Sequence, residues 1–227
     1  MNGQGWEPRS GEPPSPPPAG KGRGGEPVLQ RRLGETDFFP TWRAMQRFTA
    51  DRHADTPDEL WLTSHPPVFT QGQGGKPEHL LRDIGIPVVK IDRGGQITYH
   101  GPGQAVVYLL VDLSRRGLKV RELVSRIEQA VIDLLAGYGL RGERVSGAPG
   151  VYVGGAKVAA LGLRVKGGCC YHGVALNVDM ELAPFSAINP CGYPDLKVTR
   201  LRDLGVPVGW EAAGEALLEQ LKRQIEK

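Results

Sequence analysis

Apolar positions along this chain change period several times, and each change marks an element. Val28 to Leu33 reads as a first strand. Phe38, Trp42, Met45, Phe48 and Thr49 recur at helical spacing, with Thr36 or Asp37 as N-cap and Pro40 in the first turn. They predict a helix of about four turns that ends before Thr56-Pro57. Glu59 to Ser64 is a short strand, broken by His65-Pro66-Pro67. Val68 to Gly75 reads as a glycine-rich loop. Ile86 to Asp92, Gln96 to His100 and Gln104 to Leu113 then read as three strands separated by Arg93-Gly-Gly95 and Gly101-Pro102-Gly103.

Leu123, Ile127, Ala130, Val131, Leu134, Leu135 and Tyr138 mark an amphipathic helix closed by Gly137 and Gly139. Short strands follow at Val151–Val153, Lys157–Val165 and Tyr171–Asp179. A last helix spans Glu211 to Lys227, with Leu217, Leu218, Leu221 and Ile225 on one face. Runs of strands with helices between them predict an α+β fold in one domain with an antiparallel or mixed sheet. No internal repeat is visible.

Composition alters this picture at one end only. Fourteen of the first 27 residues are Pro or Gly, and Trp6 is the one large apolar residue there. Such a stretch buries too little surface to offset its ordering entropy, so residues 1–27 are expected to be a disordered tail ahead of a catalytic domain over 28–227. Pro13-Pro14-Ser15-Pro16-Pro17-Pro18 could serve a partner, but an unselective tail is the simpler expectation. With 40% hydrophobic and 23% charged residues and a net charge of +3 spread along 227 positions, the chain argues for neither nucleic acid nor a membrane surface as a partner. No apolar run approaches the roughly 18 residues of a membrane span, and the N-terminus lacks a secretory pattern. Three cysteines, two of them adjacent, make a poor disulfide framework, so reduced thiols in the cytoplasm are expected.

The candidate chemistry lies between Gly147 and Tyr193, where all three cysteines fall. Lys157 stands in a small, apolar run where a charge is out of place. Cys191 sits in a Pro-Cys-Gly turn. A lysine on a buried strand and a cysteine in a turn are the parts of a thiol nucleophile with a cationic partner. Pro-Cys-Gly alone reads first as a small buried turn residue. Arg93-Gly-Gly95 alone reads first as a hairpin turn, and second as backbone approaching a ligand. His100 and His172, each between a tyrosine and a glycine, read first as structural. Cys169, Cys170 and His172 lack a second ligand pair at zinc spacing, and neither nucleotide fingerprint is present.

Taken together the motifs are more specific. Arg93-Gly-Gly-Gln-Ile-Thr-Tyr-His-Gly-Pro-Gly-Gln104, Ala148-Pro-Gly-Val-Tyr152, Gly155-Ala-Lys-Val-Ala-Ala-Leu-Gly-Leu-Arg164, His172-Gly-Val-Ala-Leu-Asn-Val178 and Ile188-Asn-Pro-Cys-Gly-Tyr193 resemble the ordered motif set of the lipoyl(octanoyl) transferases. His65-Pro-Pro-Val-Phe-Thr-Gln-Gly72 agrees as well, so the resemblance covers about residues 28–205 and excludes the tail. It implies a single α+β domain with a mixed sheet flanked by helices, like the catalytic domain of biotin and lipoate protein ligases. It implies transfer of an octanoyl group from octanoyl-acyl carrier protein to a lysine of lipoyl domains, through an acyl-thioester on the enzyme. The acceptors would be lipoyl domains of 2-oxoacid dehydrogenase complexes and the glycine cleavage H protein, with no metal and no cofactor.

Carried over by position, the family's nucleophile falls on Cys191 and its partner lysine on Lys157. Its substrate-binding segments fall on Arg93, Gly94, Gly95, Gln96, Ile97, Thr98, Tyr99 and His100, on Ala160, Leu161 and Gly162, and on Gly173, Val174 and Ala175. The chain departs from the pattern at Cys169-Cys170, where the family has one cysteine followed by serine. That adds a second thiol near the pocket, and both thiols are expected to be packing residues. Two rivals remain. An ATP-dependent ligase on the same fold would have no use for the Cys191 thiol. A binding module would dock a carrier through Arg115, Arg116, Lys119 and Arg121, a run that otherwise reads as a solvated start to a helix.

Overall fold

The computed structural model describes residues 27–189 and 196–227. The expected 1–27 tail, apart from Pro27, and Cys191 lie outside the described residues. Thirteen regular elements follow in order: β1 (Leu29–Glu35), α1 (Phe38–Ala50), β2 (Glu59–Ser64), β3 (Val68–Gln71), β4 (Val88–Lys90), β5 (Ile97–His100), β6 (Gln104–Asp112), α2 (Leu113–Arg116), α3 (Val120–Gly137), β7 (Val151–Val153), β8 (Ala156–Lys166), β9 (Cys169–Asn177) and α4 (Trp210–Ile225).

Strand β6 explains the architecture. Its first eight residues are all buried because the strand is covered on both faces, which is why it reads as an unbroken apolar run. It lies inside a six-stranded sheet of order β1-β2-β6-β9-β8-β7, in which only β1 and β2 are parallel. The two-residue period of the strands divides their side chains between two cores. Val107, Leu109 and Val111 point to one face, where Leu123, Ile127 and Val131 of α3 and Leu217, Leu218 and Leu221 of α4 cover them. Val106, Tyr108 and Leu110 point to the other, against Phe38, Trp42 and Met45 of α1. The fold is α+β with a mixed sheet flanked by helices, as the chain's pattern predicts.

Two local expectations are corrected. Val68–Gln71 is a strand rather than the start of a loop, and it is the centre of a second sheet of order β4-β3-β5. β3 pairs with β4 in parallel and with β5 antiparallel, so β4 and β5 do not form a hairpin across Arg93-Gly-Gly95. The arginine-glycine segment instead bridges the two sheets: the Arg93 and Gly95 carbonyls accept from the Gln73 and Gly74 N–H groups just past β3, while the Gly94 N–H donates to Leu163 of β8. At α1, Asp37 takes the N-cap position without a side-chain bond, while the Thr36 hydroxyl bonds Thr63 and Thr41 instead.

Asp58, just ahead of β2, is fully buried and accepts from Arg52, Arg115 and Arg116. Two arginines of the expected solvated run are therefore spent inside the fold. Among the described residues no helix is long and apolar enough to cross a membrane.

Candidate active site

The two sheets face each other across a cleft that encloses about 580 Å³ when its open mouth is included. The small sheet contributes Arg93, Gly95, Gln96, Ile97, Thr98 and His100 to its walls. The large sheet contributes Ala160, Leu161 and Gly162 of β8, Gly173, Val174 and Ala175 of β9, and Val106 and Tyr108 of β6. Phe38, Ile91 and His172 complete the lining.

Gly162 and Gly173 are cross-strand partners. The missing side chain of Gly162 lets the loop at residues 93–95 sit close to the sheet, while that of Gly173 makes room for the Val107 carbonyl of β6. A Cβ at Gly162 would stand 3.0 Å from Arg93 Cδ and 3.3 Å from the Gly94 carbonyl. The loop is seated by a bond from the Gly94 N–H to the Leu163 carbonyl, 2.9 Å. Arg93 is buried, and its guanidinium donates to the Thr70 carbonyl at 2.6 Å, the Thr70 hydroxyl at 3.0 Å and the Gly94 carbonyl at 2.9 Å.

Every imidazole around the cleft is held neutral by its surroundings. His65 Nδ1 faces the Thr36 carbonyl at 2.6 Å, which can only accept, so this nitrogen carries the proton. Its Nε2 then accepts from the Tyr108 hydroxyl at 2.6 Å. His100 is fixed by a longer chain. The Thr199 carbonyl accepts from Asn177 Nδ2, Asn177 Oδ1 from Gln104 Nε2, and Gln104 Oε1 from His100 Nδ1. Burial lowers the pKa of His65 to about 4 and, with help from the His65 and Arg93 charges, that of His100 to about 3.

His172 is buried too, which lowers its pKa, and its Nε2 donates to Asp92 at 3.1 Å. It is the one described residue other than glycine with a left-handed backbone, at φ 65°. Asp92 also accepts from Trp42 Nε1, Gln46 Nε2 and the Tyr171 hydroxyl. Burial alone would raise its carboxyl, but the donors led by His172 and Tyr171 outweigh it and hold Asp92 well below the usual carboxylate range.

Lys157 lies on β8, three residues before the cleft-lining Ala160, and is 3% exposed. Its Nζ donates to the Pro149 carbonyl at 3.0 Å and stands 5.2 Å from the centre of the Tyr152 ring. Its backbone pairs with the segment that follows Cys191: Lys157 N–H donates to the Lys197 carbonyl at 2.8 Å, and Thr199 N–H donates to the Lys157 carbonyl at 2.9 Å. On the other side, Asn189 N–H donates to the His79 carbonyl at 2.8 Å. Cys169 and Cys170 are buried free thiols. Burial raises the pKa of both, that of Cys170 to about 12.

Twelve of the fourteen residues named from the sequence as substrate-binding therefore line one cleft. Gly94 and Tyr99 do not. Gly94 makes the seating bond behind it, and Tyr99 points through the small sheet into a third core with Phe69 and Phe185. Phe38, Ile91, Val106, Tyr108 and Asp92 carry no site signal in the sequence, because an isolated apolar residue or a strand-end aspartate gains its meaning only when two sheets are folded together. His172 stood out in the sequence but read as structural.

Comparison with known proteins agrees with this architecture. Residues 37–222 match the lipoyl protein ligase A/B catalytic domain. An octanoyltransferase of Dechloromonas aromatica is 64% identical over 88% of this chain and 98% of its own. One of Azoarcus sp. is 67% identical over 88% of each chain. The chain belongs to the octanoyltransferase family. Solved structures extend the likeness to the wider fold at low identity. A lipoate-protein ligase A bound with ATP superposes with a TM-score of 0.72 at 17% identity, covering 88% of this chain and 85% of that one. A biotin protein ligase from Aquifex aeolicus gives 0.55 at 11%, over 88% and 71%. This chain thus shares its fold with both ligases.

Proposed function

We propose that this protein moves an octanoyl group from octanoyl-acyl carrier protein to a lysine of a lipoyl domain, with Cys191 as the acyl-bearing nucleophile and Lys157 as its partner. The observation that carries the reading is the buried Lys157 on the strand that also walls the cleft, paired through its backbone to the chain that follows Cys191. Cys191 precedes Lys197 by six residues, and six extended residues span at most about 22 Å, a short tether to Lys157. The names of the relatives support the octanoyl group as the cargo.

The reaction follows from these parts. A free cysteine with pKa near 8.5 is only about 3% thiolate at pH 7. An ammonium about 4 Å away is worth about 4 kcal/mol at an effective dielectric of 20, and it outweighs desolvation of the thiolate only when the contact is that close. The Cys191 thiolate attacks the carbonyl of the donor thioester. The new carbon–sulfur bond forms as the carrier's breaks, and the carrier thiolate takes a proton from the Lys157 ammonium. The acceptor amine then attacks the acyl-enzyme, neutral Lys157 takes its proton, and Cys191 leaves as thiolate. The starting ion pair is restored.

Thioester exchange is near balance and aminolysis runs downhill, so neither step draws on ATP. The apolar lining suits a saturated chain, whose burial contributes about 0.8 kcal/mol per methylene. One methylene changes discrimination by only about 1–3 kcal/mol, so eight carbons are preferred while seven and nine are partly accepted. The test is Lys157→Ala. It should abolish transfer and move the pH midpoint of Cys191 alkylation up towards 8.5. An unchanged midpoint would refute the pairing, and dependence of product on ATP would point to a ligase.

A further inference from the structure

One buried carboxylate has no part in the scheme above. Glu128 lies in the middle of α3, on the face turned to the sheet, and is 8% exposed. A carboxylate buried to this degree needs partners to offset its lost hydration. One oxygen receives Arg144 Nε at 3.1 Å. The other receives the backbone N–H of Gly150 at 3.1 Å.

That N–H belongs to the peptide group whose carbonyl is Pro149, and the Pro149 carbonyl is the acceptor of Lys157 Nζ at 3.0 Å. A single planar peptide thus joins the two side chains, with its donor end on Glu128 and its acceptor end on Lys157. Resting on the reading of Lys157 as partner of the nucleophile, we propose that Glu128 is a positioning residue for Lys157, acting through the Pro149–Gly150 peptide.

The backbone around this peptide shows why a clamp is needed. Gly150 has φ 136°, a region that side chains avoid, and a Cβ there would stand 2.6 Å from the Ala159 carbonyl and 3.1 Å from Lys157 Cε. Glycine is required for the lysine stem to pass, yet glycine also removes the barrier to rotating the peptide. Rotation would aim an N–H at the Lys157 ammonium and the Pro149 carbonyl at the Glu128 carboxylate. Both contacts are repulsive. With Glu128 in place the peptide has one orientation, and hydrogen bonding at its N–H end polarises the carbonyl that grips Lys157. Tyr152 secures the preceding residue, its hydroxyl donating to the Ala148 carbonyl at 3.0 Å.

The test uses the full-length enzyme and reads two quantities: the pH profile of alkylation at the Cys191 peptide, followed by mass spectrometry, and octanoyl transfer from octanoyl-acyl carrier protein. Glu128→Ala should raise the alkylation midpoint by part of the shift seen in Lys157→Ala, and lower kcat about tenfold to a hundredfold with KM for the carrier little changed. Glu128→Gln keeps an oxygen to accept the Gly150 N–H and should restore most of the activity. Glu128→Asp keeps the charge but is too short for that bond, so it should shift the midpoint even if the alanine variant does not fold. Arg144→Gln removes the ion pair, together with the Arg144 bonds to the Ser125 carbonyl and Gln129, but leaves the Glu128–Gly150 bond, and should lower the melting temperature with the midpoint unmoved. A normal midpoint in Glu128→Ala or Glu128→Asp, beside a shifted one in Lys157→Ala, overturns this inference and leaves the proposed reaction standing. An equal shift in Arg144→Gln overturns it as well, because the effect then belongs to the tethering of the loop. A normal midpoint in Lys157→Ala overturns both.

Discussion

Lys157 places an ammonium in a site where water is nearly excluded, and its carbonyl and aromatic neighbours take over part of the lost hydration. Burial acts on the two described thiols as well. Burial raises the pKa of Cys169 and Cys170 with no described cation bonded to either sulfur. In the folded protein at pH 8, alkylation should therefore strike Cys191 first. Replacing Cys169 and Cys170 together by serine should leave the acyl-enzyme intact on mass spectrometry, and loss of the adduct would move the nucleophile to one of them. Gly162 allows a sharper test of the cleft. Its Cβ would crowd Arg93 and the Gly94 carbonyl, so Gly162→Ala should displace the 93–95 loop and reduce kcat/KM for the octanoyl donor about tenfold or more. Unaltered kcat/KM in a folded variant would separate that loop from the acyl site.

Between elements, the Asp58 cluster ties the end of α1 to α2 and to the C-terminal helix. Arg52 also reaches the Leu110 carbonyl of β6, and Arg116 the Ile225 carbonyl of α4. Removing the carboxylate leaves arginines that are mostly buried without their counter-charge. Asp58→Ala should cost about 3–5 kcal/mol by urea unfolding, and a cost below about 1 kcal/mol would show these charges to be better hydrated than their burial indicates. The cluster also shows what the sequence makes legible. A run such as Arg115-Arg116 reads as solvated because its partner stands 57 residues earlier. The β6 run, the α3 and α4 stripes and the glycine-rich motifs were legible, since period, burial and turn chemistry are properties of neighbouring residues. The pairing of β3 between β4 and β5 was not, because it depends on partners far apart in sequence.

At the scale of the whole molecule, neutral histidines buried between the two sheets couple stability to pH. His65 and His100 take up protons near pH 6.5 when unfolded but only near pH 4 and 3 when folded. The unfolded state thus binds more protons between those limits, and stability falls as pH drops from about 6.5 towards 4. By pH 5 the loss should be about 2 kcal/mol for each histidine, seen as a lower urea midpoint. A flat stability profile from pH 7 to 5 would mean that these rings are protonated in the folded protein. Asp92 keeps its charge when folded, so its contribution is lost only at lower pH, as the unfolded carboxyl becomes protonated and the native pKa is approached.

The whole account turns on an acyl group resting on one sulfur. Intact-mass analysis after incubation with octanoyl-acyl carrier protein, without acceptor or ATP, should show a gain of one octanoyl group. Peptide mapping should place it on Cys191, hydroxylamine should remove it, and Cys191→Ser should not form a thioester. A protein that gains no mass while still transferring octanoate, or that carries the group on another residue, would contradict it.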